Sequence, residues 1–368
     1  MGTICGEITK FLEKTAPLRL AEEWDNVGLM VGSLKQEINR VLVCLDATPA
    51  VIGEAVEKNV DLIISHHPFI FKGLKRINEE DEKGGSIHKL IKNNIGVYSA
   101  HTNLDAADEG VNAQLAALLG LKDIVNLKDY KAEKLYKMVV FVPEESVDSV
   151  RDAMSRAGAG WIGNYSDCSF MAAGTGTFRP LKGTNPYIGS EGKLEKVKEW
   201  RIETVVPTDR LKAVVDSMLD AHPYEEVAYD IYSLELKGKA YGFGKVGLLE
   251  RPQALDSFIP FIKKALNVKD LRVIGKDGRM VKKVAVFCGS FDGDLGAVAD
   301  KKADVLVTGD IKYHTALDIV EKGMCVIDAG HFNTERIIVP GLVELLKRRF
   351  SGLEVLSSNV EKDPFEYC

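Results

Sequence analysis

Apolar residues recur along this chain with two periods. Ile4, Ile8, Phe11 and Leu12, interrupted by Glu7, Lys10 and Glu13, follow the helical repeat and predict an opening amphipathic helix. Val41-Leu-Val-Cys-Leu45 and Val60-Asp-Leu-Ile-Ile64 are short, nearly unbroken apolar runs rich in β-branched residues, the pattern of strands buried on both faces of a parallel sheet. A helix predicted over 49–58 joins them into a βαβ unit. A helix over 85–93, a strand over 95–100 and a helix over 109–119 complete a first α/β lobe, residues 1–128. Residues 130–238 change order: strand 135–142, helix 146–157, strands 168–178 and 195–206, helix 208–220 and strand 226–236 read βαββαβ. Residues 240–368 return to alternation, with strands 281–287, 304–308 and 324–328 and helices 294–302, 314–322 and 333–349. The predicted fold class is therefore α/β, two similar α/β lobes forming one core, with an inserted ferredoxin-like α+β domain.

The lobes also match in sequence. Laying Arg40-Val-Leu-Val over Lys283-Val-Ala-Val places Asp61-Leu-Ile-Ile-Ser over Asp304-Val-Leu-Val-Thr without a gap, and sets His66 and His67 opposite Gly309 and Asp310. A second offset lays His101 over His331 and Asp105 over Glu335. An internal duplication of whole lobes is the expectation.

Chemistry-bearing residues collect where strands are predicted to end. In Ser65-His66-His67-Pro68 the pair follows a strand and precedes a proline that stops it. Within a strand adjacent side chains point to opposite faces, but at its end the two rings can splay and serve two neighbouring ions. The dipeptide alone also fits loop histidines without a ligand role. Asp46 ends the preceding strand and is a neighbour of the pair, or a residue of the following helix cap. His101 and Asp105 follow the next strand, and His331 and Glu335, four apart, share a helical face if the first turn begins at His331. Imidazole with carboxylate suits Zn, Mn, Fe or Co rather than Ca or a thiolate cluster. His314 occupies the corresponding region of the second lobe, facing the same cleft or starting a helix. Other signals are weaker. Asp25-Asn26 beside Trp24 fits an Asx turn as well as a pocket. Gly174-Thr-Gly-Thr-Phe178 lies in a predicted strand and precedes no helix, unlike a phosphate loop. His222 in Ala-His-Pro-Tyr-Glu-Glu reads as a helix-end residue.

Composition narrows the classes. With 368 residues, 45% hydrophobic and 28% charged, the chain is long enough for substantial cores. A net charge of -6, from 48 basic and 54 acidic residues, leaves no basic excess for nucleic acid. Six scattered cysteines without C-x-x-C spacing read as reduced thiols of a cytoplasmic protein. The N-terminal helix is too charged for a signal peptide, and no run approaches the roughly 18 apolar residues of a membrane span.

Taken together, Trp24-Asp-Asn-Val-Gly-Leu29, Ser65-His66-His67-Pro68-Phe69, Ser99-Ala-His101-Thr-Asn-Leu-Asp105, Thr308-Gly-Asp-Ile-Lys-Tyr-His314 and Asp328-Ala-Gly-His331-Phe-x-x-Glu335 resemble the NIF-three-like family. Its bacterial members are commonly labelled GTP cyclohydrolase I type 2 homologues. The insertion is similar to the P-II/CutA-like domain of the longer members. The resemblance implies two divalent metal ions per chain, held by His66, His67, Asp105, His331 and Glu335, with Glu335 bridging. It also implies a toroidal homohexamer with its sites facing an inner cavity, and puts His101 behind the ligands or in proton transfer. The activity implied is hydrolytic opening of the guanine ring of a nucleotide, GTP, with His101 or His314 relaying protons. No P-loop or guanine-reading signature accompanies it, and Lys72, Lys75 and Arg76 fit a solvated face equally. A non-enzymatic metal-binding ring, as scaffold or metal carrier, is the alternative. A ring encircling nucleic acid would need basic residues that the charge balance does not supply.

Overall fold

A computed structural model describes residues 2–366. The fold is mixed α/β with several sheets, and it divides into two compact units, residues 132–240 and residues 2–131 with 241–366.

In the larger unit, strands Arg40–Cys44, Leu62–Ser65 and Gly96–Ser99 run parallel and adjacent. Their side chains are buried on both faces, which is why they read as apolar runs rather than alternating ones. Thr48 caps the intervening helix Pro49–Glu57, its hydroxyl accepting from the Val51 amide, and Pro49 occupies the first turn, where its missing N–H costs nothing. Two strands extend this sheet: Gly28–Val31, antiparallel to Gly96–Ser99, and Glu354–Ser357, parallel to Arg40–Cys44. The last of these, residues 354–357, pairs with a strand more than 300 residues earlier in the chain. A second parallel set, Met280–Ser290, Val305–Gly309 and Val326–Asp328, carries the antiparallel strand Arg272–Ile274 at one edge. One apolar core joins both sets, Ile64, Tyr98 and Leu115 packing in the same cluster as Val286, Val307 and Leu342.

The structure revises several boundaries. The helix expected over 333–349 is two, His331–Glu335 and Ile338–Arg349, because Pro340 has no N–H to give the Arg336 carbonyl. The helix expected over 109–119 runs from Val111 to Leu118 and is preceded by a separate turn of helix, Thr102–Ala106. The stretch 240–280 holds the end of a long strand, Tyr229–Ala254, and an amphipathic helix, Leu255–Leu266, that the periodicity left unread.

In the smaller unit, strand Glu195–Pro207 pairs antiparallel with Ser169–Phe178 on one side and with the end of Lys122–Pro143 on the other. Helices Val147–Arg156 and Leu211–Ala221 pack their apolar faces on it through Val150, Met154, Val214 and Met218. Cys5, Cys44, Cys288 and Cys325 are buried free thiols and Cys168 is half-buried, while Cys368 lies outside the described residues. Among the described residues no helix is long and apolar enough to cross a membrane.

Candidate metal centre

All parallel strands of the larger unit deliver polar residues at their carboxyl ends, the edge where open α/β sheets bind ligands. The amides of His66 and His67 still donate to Cys44 and Leu45 carbonyls (3.1 and 2.9 Å), but the strand has ended at Ser65, whose hydroxyl donates to the His67 carbonyl at 2.8 Å. That turn brings the two rings to one side, with centroids 5.1 Å apart.

Each of the four clustered imidazoles is anchored through Nδ1 to an acceptor. His66 meets the Ala100 carbonyl at 2.8 Å, His67 the Asp46 carboxylate at 2.8 Å, His101 Asp25 at 2.9 Å and His331 Asp310 at 2.7 Å. Because carbonyls and carboxylates only accept, Nδ1 carries the proton in each pair and Nε2 is the nitrogen left to bind a cation. Asp46–His67 and Asp310–His331 have the same sequence separation, 21 residues.

Glu335 stands at the centre. Its Oε2 lies 2.9 Å from Nε2 of both His67 and His331, and its Oε1 points toward His66 Nε2 at 3.9 Å. The His67 and His331 nitrogens are 3.4 Å apart. His66 Nε2 faces Asp105 Oδ1 across 3.6 Å, and both atoms are buried without any hydrogen-bond partner. Three overlapping sets have donor atoms mutually within 4.8 Å: His66, Asp105 and Glu335; His67, His331 and Glu335; and His66, His67 and His101.

Electrostatics follow from burial and contact. Burial alone pushes His67 down, but Asp46 and Glu335 outweigh it and raise its pKa to about 10. The same opposition, with Glu335 and Asp310, raises His331 to about 9. Burial pushes the Glu335 carboxyl up, yet the close His67 and His331 rings, with His66 nearby, hold it well below the usual range. Asp105 is raised by burial, its histidine neighbours only partly offsetting that. Asp25, opposed by burial but hydrogen-bonded by His101 and Thr102, drops to about 2 and stays an anion.

The structure thus brings together His66, His67, His101, Asp105, His331 and Glu335. The His101 ring centroid lies 5.3 Å from that of His66 and 5.5 Å from that of His67. His314 is elsewhere: it is exposed in the helix Tyr313–Glu321, against Tyr313, and belongs to none of the three sets. Asp25 and Asp310, which sequence reasoning left as turn residues or unassigned, are the anchors. The signal of Asp310 was its position after a strand end, shared with many cap residues, and that of Asp25 was the Asp25-Asn26 turn before the strand Gly28–Val31.

Several residues were not legible at all. Buried Asn112 donates to the Asp105 carbonyl at 3.1 Å and accepts from the Cys288 amide at 2.9 Å, tying the two halves together. Glu361, near the C-terminus, accepts from the Leu45 and Asp46 amides, both at 2.8 Å, and so fixes the segment that holds His67. Gly289, at φ +65, lies against Glu335, and a Cβ there would overlap Oε1. We expect Gly289→Ala to lower bound metal per chain while leaving far-ultraviolet circular dichroism unchanged; undiminished metal content by elemental analysis would show that the carboxylate can retreat.

Comparison with known proteins gives the family. The family model for Duf34/NIF3 (NGG1p interacting factor 3) matches residues 3–364. A Halalkalibacterium halodurans protein named GTP cyclohydrolase 1 type 2 homolog is 44% identical over 364 residues, 98% of each chain, and a Bacillus subtilis protein of the same name is 43% identical over 365 residues, again 98% of each. The crystal structure of a Bacillus cereus protein related to NIF3 superposes with a TM-score of 0.94 at 41% identity, over 100% of both chains. With the match running through both halves that build the histidine–carboxylate cluster, this chain belongs to the Duf34/NIF3 family.

Proposed function

We propose that the cluster is a dinuclear divalent-metal centre and that the protein is a metal-dependent hydrolase acting on a nucleotide, with GTP the first substrate to test. The observation that carries the metal assignment is the pair His66 Nε2 and Asp105 Oδ1, buried, unpartnered and 3.6 Å apart. Two buried polar atoms left unsatisfied are costly, the gap is too long for a hydrogen bond, and a cation between them satisfies both. In this reading His66, Asp105 and Glu335 would hold one ion, and His67, His331 and Glu335 the other, with Glu335 common to both sets. Zn, Mn, Fe and Co all suit the donor set.

Bound there, two divalent ions supply Lewis acidity, making water a better nucleophile at neutral pH and polarising the group attacked. The chain's own residues do the rest. Asp46 and Asp310 hold His67 and His331 with Nε2 toward the centre. His101, fixed by the Asp25 anion, is the imidazole beside the ligands assigned to move a proton. The floor at His66 and Glu335 is closed to solvent, whereas His67 and His331 side chains are 23% and 34% exposed, so a substrate approaches from their side. Exposed Trp24, its ring centroid 6.0 Å from that of His101 and 5.9 Å from that of Phe71, offers a flat ring a stacking surface at this rim.

The names of the bacterial relatives make opening of the guanine ring, with release of formate, the specific reaction to assay. Formate release from GTP by the metal-loaded protein, lost in His101→Ala with metal content intact, is the expected result. No turnover of any nucleotide by protein carrying two ions per chain would leave the scaffold or carrier reading standing. The same reading has residues 132–240 as an inserted ferredoxin-like, P-II/CutA-like domain and the chain as a toroidal homohexamer in the cytoplasm; light scattering tests the assembly.

A further inference from the structure

Two sequence motifs that the metal centre does not use, Gly174-Thr-Gly-Thr-Phe178 and Ala-His222-Pro-Tyr224-Glu-Glu, meet at a single cavity of about 630 Å³ within the unit 132–240. Phe141, Phe178, Tyr187 and Tyr224 line it, together with the charged residues Arg179, Glu199, Arg201, Glu225 and Glu226. The motif Gly174–Phe178 serves as floor rather than phosphate loop: it is strand, paired antiparallel with Glu195–Lys198 and Glu199, and Gly176 lies under the Glu199 carboxylate, where a Cβ would overlap it. The second motif supplies the wall. His222 accepts from the Tyr224 amide at 3.1 Å and donates to the Phe141 carbonyl at 3.0 Å, which fixes the turn and aims Tyr224 at Glu199.

Glu199 is 9% exposed, and the bond it receives is from the neutral Tyr224 hydroxyl at 3.0 Å. Among the described residues no cationic side chain lies within ion-pair distance of it. The two arginines at the cavity are committed elsewhere: Arg201 Nε donates to Glu203 at 2.7 Å and Arg179 to the Gly192 carbonyl at 2.7 Å. A buried carboxylate without a counter-cation is unfavourable unless something brings one. Aromatic walls attract a cation with an apolar body: ring centroids of Tyr187 and Phe178 lie 6.1 and 6.0 Å from that of Tyr224.

We propose that this cavity binds a small organic cation, an amidinium, guanidinium or ammonium group on a flat apolar body, with Glu199 as its counter-ion and the aromatic residues as its walls. The site is separate from the metal centre and draws on none of its residues.

The test is calorimetric titration of the full-length protein with benzamidine and with benzamide, its neutral near-isostere. Benzamidine is expected to bind at least about tenfold more tightly, the scale of one desolvated charge pair. Glu199→Gln keeps the Tyr224 contact and should abolish that preference while leaving benzamide affinity unchanged. If that variant does not fold, Glu199→Asp, which withdraws the charge by one methylene, should weaken benzamidine and spare benzamide. Equal affinities in the wild type, or a preference that survives Glu199→Gln, would overturn the assignment. So would guanosine binding as tightly as benzamidine, because a neutral edge of N–H donors would then suffice.

Discussion

Replacing Glu335 by Ala should reduce bound metal from two ions per chain to fewer than one after dialysis, and lower any GTP turnover by about a thousandfold or more, as losing a group that acts on reacting charge does. The reason is geometric. One oxygen of this side chain lies 2.9 Å from both His67 and His331, and the other faces His66, so no other residue belongs to both carboxylate-containing donor sets. Two further readouts separate loss of the site from loss of the fold. The variant should keep its far-ultraviolet circular dichroism and its oligomeric state, because Glu335 contacts the histidines rather than the apolar core. Glu335→Gln, which retains hydrogen bonding without the charge, should fall between wild type and Ala in metal content. Elemental analysis finding two ions still bound to Glu335→Ala would sink the dinuclear assignment.

Metal uptake should strengthen steeply with pH. In the metal-free protein His67 and His331 are held protonated by Asp46, Asp310 and Glu335, with pKa values of about 10 and about 9 against the usual 6.5. Both shifts are upward, so the stabilisation from these ion pairs is fully present below pH 6.5 and is lost as pH rises through about 9 and then about 10. A cation needs the neutral rings and must displace these protons. Affinity for Zn or Mn is therefore expected to rise by about tenfold per pH unit for each proton displaced, between the usual histidine pKa and these raised ones. Proton release measured in weakly and strongly buffered titrations checks it. Affinity that is flat across this range would mean that the histidines are already neutral.

These outcomes bear on residues of different visibility. His66, His67, His101 and His331 stood out because each followed a predicted strand end, whereas the set His66, His67, Asp105, His331 and Glu335 came from the family resemblance. The Asp46–His67 and Asp310–His331 contacts were not legible, since an aspartate after a strand reads equally as a helix cap and the internal repeat set Asp310 opposite His67. His314 had the same local credentials as His331 and went to an exposed helix face. The helical break before Ile338 was foreshadowed by Pro340, whereas the strand Glu354–Ser357 carried no sign of its partner.

The sequence by itself determined the alternation of strands and helices around the site, and which residue types stand at the strand ends, because both depend on short-range periodicity and on chemistry carried by single side chains. The tertiary structure alone decided that His66 Nε2 and Asp105 Oδ1 lack any other partner, that His101 joins the cluster, that Glu335 reaches His67 from 268 residues away, and that Gly289 and Asn112 make room for and tie together the two halves. Such contacts are set by how two sheets pack through a common core, and no local pattern along the chain encodes that distance.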